Sequence, residues 1–166
     1  FLFELAQARG LRAGVYLSPH VETLLERIRV GGELVSLDVL EGALTAILRH
    51  ADARGFAPTF FEAMTAAAVD VFAAAQVGLC IYEVGLGGRF DATTAVPVDA
   101  SVITGIELEH TELLGDTLAQ IATEKAHVMR PGSVAFTGAS GEALAAIEQH
   151  ALAIGCKLFV LGRDFL

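Results

Sequence analysis

At 166 residues the chain has the length of one ordinary domain, large enough to bury a proper core. A formal charge of −9 argues against nucleic acid or an anionic membrane as a partner, so any phosphate bound here needs local donors or a metal. Mean hydropathy is +0.57, yet much of it is alanine, and the longest apolar run (63–77) is broken by Asp70 and Gln76, short of a membrane span.

In chain order, residues 1–9 read as a helix stopped by Gly10, and Gly14 to Leu17 as a short strand running into Ser18-Pro19-His20. Pro19 bars Ser18 from helical geometry, which leaves its hydroxyl in an extended loop at a strand end. Residues 26–30 alternate as a strand or extended loop would. Residues 36–54 place Leu37, Leu40, Leu44, Ile47 and Leu48 at the core spacing of a helix. Thr59-Phe60-Phe61-Glu62 is Thr-x-x-Glu, a capping box for a helix over 60–76. The two phenylalanines cannot both face the core, so one is free to line a pocket.

Leu79 to Tyr82 is an apolar run short enough for a buried strand, and Glu83 stands at its end. Gly85, Gly87 and Gly88 then free the backbone for a tight loop. A dinucleotide fingerprint fails here, because Phe90 occupies its third glycine position and no helix follows. A strand over 100–106 runs into Glu107-Leu108-Glu109-His110, followed by a helix from about 115 to 128 bearing Glu124 and Lys125. A strand over 133–137, a helix over 142–154 and a strand over 157–161 complete the pattern. Strands alternate with helices throughout, so the expected architecture is α/β with a mostly parallel sheet flanked by helices. Cys80 and Cys156 lie in apolar, strand-like runs and read as reduced core residues of a cytoplasmic protein. Phe1 to Ala6 reads as a helix already under way and residues 162–166 carry no stop signal, the pattern of a piece of a longer chain.

In an open α/β sheet, ligands bind beyond the carboxyl ends of the strands. Ser18, Glu83, Glu109 and His110 would then line one crevice. A hydroxyl, carboxylates and an imidazole fit a magnesium or calcium site, with the histidine off-pattern for a hard ion. A Ser/His/Glu triad lacks the Gly-x-Ser-x-Gly elbow. A histidine in a loop is also commonly no more than a solvated residue, Glu83 an ordinary strand-end carboxylate, and Lys125 a solvated helix lysine beside Glu124.

Five segments narrow these alternatives: YLSPHVETLLERIRVGG, TFFEAMTAAA, EVGLGGRFDATT, SVITGIELEHTELLGDTL and EKAHVMRPGS. In this order and spacing they resemble folylpolyglutamate synthase and dihydrofolate synthase, ATP-dependent amide-forming enzymes of the Mur ligase superfamily. The resemblance runs from about Gly14 to Phe165 and implies that residues 1–166 are part of the ATPase-type central domain. The phosphate-binding loop would precede Phe1 and a C-terminal domain would follow Leu166. The implied substrates are dihydropteroate or folate, L-glutamate and ATP, with two magnesium ions, in a parent that is cytoplasmic and monomeric.

By motif match, the resemblance assigns Ser18 and Glu83 to one magnesium and His110 to the second, with Glu83 and His110 also counted as catalytic. Lys125 matches the lysine carboxylated to a carbamate. Thr59, Phe60, Phe61 and Glu62 with Phe90, Asp91 and Ala92 should take the pterin, although Thr59 and Glu62 equally cap a helix. Three positions depart from the family pattern: Glu109 stands for Asp, Thr94 for Asn and His127 for Gly. The competing reading is a non-catalytic remnant that keeps a pterin- and metal-binding crevice.

Overall fold

All four residues of β1 (Ala13–Tyr16) are buried. Successive side chains of a strand face opposite ways, so burial along its whole length requires cover on both faces. On one face Ala13 and Val15 pack with Phe3 and Ala6 of α1 (Leu2–Ala8). On the other, Tyr16 meets Met64, Ala67 and Phe72 of α3 (Phe60–Ala74) and Leu40 of α2 (Leu37–Asp52). Gly14 makes that packing possible, because a Cβ there would fall 2.5 Å from the Phe72 ring. β4 (Leu79–Tyr82) pairs with β1 in parallel, aligning Tyr16 with Tyr82. β2 (Ile28–Val30) and β3 (Glu33–Leu34) extend the other side as an antiparallel hairpin, giving the order β3-β2-β1-β4.

This computed structural model describes residues 1–166, and the chain divides into two units, Phe1–Gly85 and Leu86–Leu166. The second has a wholly parallel sheet, β5-β6-β7, formed by Ala100–Ile103, Val134–Thr137 and Lys157–Val160. Its core joins Ile103 and Ala135 of the sheet to Ala122 and Ala126 of α5 (Leu118–Ala126) and Ala143 and Ile147 of α6 (Gly141–Ile154). Where α5 ends, the His127 ring lies 4.5 Å from that of His150 on α6. Burial, and then the charge of His127, hold His150 below the usual histidine pKa. The fold is thus α/β, with parallel strand pairs flanked by helices. No helix is long and apolar enough to cross a membrane.

Several sequence expectations need correction. Glu26 and Arg27 belong to a single 3-10 turn (Leu24–Arg27), not to the strand that follows. β5 stops at Ile103, so Glu109 and His110 lie beyond an irregular stretch, with a one-turn helix α4 (Thr111–Leu114) after them. Of the five expected core positions on α2 only Leu40 is fully buried, with Leu44 and Ile47 partly so. Leu37 and Leu48 are exposed, because the helix meets the core along a narrower stripe than five leucine-type positions suggest. β4 is half-exposed rather than buried, since it pairs on one side only, and Cys80 on it is exposed rather than a core residue. Cys156 is buried as expected.

Candidate functional site

Strand register creates one cluster of candidate residues, in the Phe1–Gly85 unit. With Tyr16 opposite Tyr82, Ser18, two residues beyond Tyr16, and Glu83, one beyond Tyr82, leave the same end of the sheet. The Glu83 N–H donates to the Tyr16 carbonyl at 2.9 Å, which carries the ladder one step past the strand. The Ser18 N–H then donates to Glu83 Oε2 at 2.7 Å. A carboxylate oriented by a backbone donor through one oxygen can offer the other to a ligand, and the residue that orients it carries a hydroxyl of its own. Both are hard oxygen donors of the kind magnesium takes.

The loop after Ser18 is held by a carboxylate clamp. Glu26 accepts from the N–H groups of Val21 and Glu22 at 2.9 Å each and of Thr23 at 2.6 Å. These bonds hold Glu26 below the usual carboxylate range. At the start of α3, the Thr59 N–H donates to Glu62 Oε2 at 2.7 Å and the Glu62 N–H to Thr59 Oγ1 at 3.3 Å. The capping role of Thr59 and Glu62 is therefore realised, and the Thr59 N–H keeps the Glu62 carboxyl below its usual range. Phe61 turns inward to Tyr16, with ring centroids 5.8 Å apart, while Phe60 is 56% exposed. One phenylalanine packs against the core and the other faces outward, with the Arg27 guanidinium over its ring.

Another cluster of candidate residues belongs to the Leu86–Leu166 unit. Gly88 sits so close to the end of α5 that a Cβ would fall 2.7 Å from the Glu124 carbonyl oxygen. Next to it Arg89 pairs with the Glu124 carboxylate at 2.9 Å, so the loop rides on the turn that carries Lys125. Phe90 is 91% exposed. Asp91 accepts from the Leu86 N–H at 3.0 Å and from the Thr93 N–H and hydroxyl at 2.9 and 2.6 Å, capping a 3-10 turn over Ala92–Ala95. Ala92 is half-buried within that turn. Lys125 Nζ lies 2.9 Å from Glu109 Oε1, and this hydrogen bond, then the Lys125 charge, lowers the Glu109 pKa. His110 is exposed, with φ +50°, a left-handed conformation uncommon outside glycine.

The structure therefore brings Ser18 to Glu83, and Glu109 to Lys125. Ser18, Glu83 and residues 59–62 belong to the first unit, and residues 90–92, His110 and Lys125 to the second. No three His, Cys, Asp or Glu side chains gather as a metal cluster. Sequence reasoning missed the Glu26 clamp, although Thr23-x-x-Glu26 carries the same capping signature noted at Thr59. It also missed the Arg89–Glu124 pair, for which no local signal exists, the partners being far apart in the chain.

Parallel strand pairs flanked by helices, with the oxygen donors Ser18 and Glu83 just past the ends of β1 and β4, place the chain among α/β proteins, the class whose ligands bind beyond the carboxyl ends of the strands. No protein-family model matches the chain. It is 40% identical over 168 residues to a probable bifunctional folylpolyglutamate synthase/dihydropteroate synthase of Halobacterium salinarum, covering 99% of this chain and 21% of that protein. Its fold is similar to that of the Yersinia pestis bifunctional folylpolyglutamate synthase/dihydrofolate synthase complexed with AMPPNP and a manganese ion. There the TM-score is 0.88 at 37% identity, over 96% of this chain and 38% of that one. The Escherichia coli enzyme in complex with DHPP and ADP gives 0.87 at 38% identity, over 96% and 37%. The chain belongs to the folylpolyglutamate synthase/dihydrofolate synthase family and spans between a fifth and two fifths of the length of these relatives.

Proposed function

We propose that this chain is the ATPase-type central segment of a ligase that joins L-glutamate to dihydropteroate or a folate. The observation that carries the reading is the Ser18–Glu83 pair, oxygen donors set by strand register at the carboxyl ends of β1 and β4. In the reaction, a carboxylate oxygen of the acceptor attacks the γ-phosphorus of ATP and ADP leaves. The glutamate amine then attacks the acyl carbon, phosphate leaves, and an amide forms with loss of one proton. Ser18 and Glu83 would hold one magnesium and His110 a second, ions that neutralise the phosphoryl oxygens. The left-handed backbone of His110 is the kind of local strain that functional positions retain.

Lys125 as an ammonium is matched by Glu109. Loss of one proton from the ammonium, followed by carboxylation of the free amine by CO2 with loss of a second, would reverse that sign and set two anions side by side, an arrangement that favours a divalent cation between them. Phe60 in the first unit and Phe90 in the second are each exposed, and these rings, with Thr59, Phe61, Glu62, Asp91 and Ala92, are the residues this reading assigns to a flat pterin. The same reading makes the parent a cytoplasmic monomer that acts on small molecules and binds no nucleic acid.

The test is glutamate-dependent ADP release by the complete protein, with dihydropteroate and tetrahydrofolate supplied separately. Turnover with either acceptor, lost by at least roughly a hundredfold in Lys125→Ala, is the expected result. Magnesium-ATP binding without turnover on either acceptor would overturn the ligase reading and leave a binding module.

A further inference from the structure

Arg27 is the only charged side chain of the molecule that is buried, with 8% of its surface exposed. None of the molecule's ion pairs involves it. A buried cation without a counter-ion is costly, so its contacts should explain its presence. They run to three places at once. The Arg27 carbonyl accepts from the Leu17 N–H at 2.9 Å, one residue before Ser18. Its Nε donates to His20 Nδ1 at 2.9 Å, which fixes the His20 ring in the tautomer protonated on Nε2. Its guanidinium lies 5.2 Å from the centre of the Phe60 ring, covering one face and leaving the ring more than half exposed. Only an arginine offers the in-line Nε–H and a flat stacking surface together.

We infer that Arg27 is a positioning residue that locks the Ser18-Pro19-His20 loop onto the Phe60 face, coupling the metal side of the site to the pterin side. This rests on the ligase reading above. Binding at two places that share one rigid connector is reciprocal, so loosening the connector weakens both. His20 and Phe60 are exposed, and changing them tests the connection without opening the core. In the complete protein, the acceptor KM and the magnesium concentration for half-maximal rate are measured in His20→Ala, Phe60→Leu and the double variant.

Each single change is expected to raise both constants, by roughly threefold to tenfold, and the double variant to fall well short of the product. Arg27→Met should raise both constants together with the ATP KM unchanged, and Arg27→Lys should restore less than half of the loss. A double variant equal to the product of the singles would overturn the coupling. So would His20→Ala moving only the magnesium constant while Phe60→Leu moves only the acceptor constant. Arg27 variants that melt earlier but keep both constants would reduce Arg27 to a packing residue and overturn the proposal too. A wild-type protein without turnover would instead overturn the ligase reading, and this inference with it.

Discussion

The two units hold their candidate functional groups by different physics. In Phe1–Gly85 the work is done by backbone: the Ser18 N–H fixes Glu83, three successive N–H groups fix Glu26, and the Thr59 N–H fixes Glu62. In Leu86–Leu166 backbone amides hold Asp91, but the groups around α5 are held by charge between side chains, Lys125 with Glu109 and Arg89 with Glu124. A backbone amide cannot move away without breaking the fold, whereas half-exposed ion pairs are weak, screened and easily exchanged. The first unit is thus suited to a fixed geometry. The second is suited to residues that change partner or charge state.

The largest effects should come from the cores, and they test whether the units are energetically separate at all. Phe72→Ala removes the ring that packs beneath Gly14 and Tyr16, and should cost about 3–5 kcal/mol. Ile147→Ala, in the core of the other unit, should cost about 2–5 kcal/mol. Native-state hydrogen exchange at the β1 and β6 amides reads the two separately. An Ile147→Ala variant that weakened β1 as much as β6 would break the comparison.

A smaller effect is expected at Gly88→Ala. The new Cβ would fall against the Glu124 carbonyl, so the loop must lift off α5 and the Arg89–Glu124 pair must loosen. The cost should be about 1–3 kcal/mol, read as a lowered melting temperature. Melting at the wild-type temperature would show that the loop does not depend on its seat.

What could be read from sequence follows the same divide. Element type was legible wherever the signal is local. The Thr59-x-x-Glu62 box and the Gly10 stop appear in the fold, and strands alternate with helices from β4 onward, although β2 and β3, then α2 and α3, follow one another before it. The family was legible because its segments keep order and spacing, which the relatives bear out. Exposure was not legible. Leu79 to Tyr82 has the composition of a buried strand, and only the strand order shows that β4 pairs on one side, exposing Cys80. Nor could residue types show that Lys125 meets Glu109 rather than its neighbour Glu124, since that depends on how the irregular stretch after Ile103 returns to α5. Arg27 looked like part of an alternating strand, and its burial emerges only once His20 and Phe60 are placed around it.

The finest test compares two carboxylates that are both held below the usual range. Glu62 is lowered chiefly by the Thr59 N–H, and Glu109 chiefly by its hydrogen bond to Lys125 and then by the Lys125 charge. Raising ionic strength from about 0.01 to 1 M shrinks the screening length from about 30 to 3 Å. Followed by carboxyl NMR, the Glu109 pKa should rise with salt, and rise further in Lys125→Met, while that of Glu62 should stay in place under both changes. The sign for stability follows directly. A carboxyl depressed in the folded state stabilises above the unfolded pKa, and that contribution is lost as pH falls through the folded value. For the exposed Glu109–Lys125 pair it should not exceed about 1 kcal/mol, and high salt should remove most of it. If Glu62 moved with salt as far as Glu109 does, its backbone bond would be no firmer than an ion pair, and the contrast between a fixed and an exchangeable half would fail.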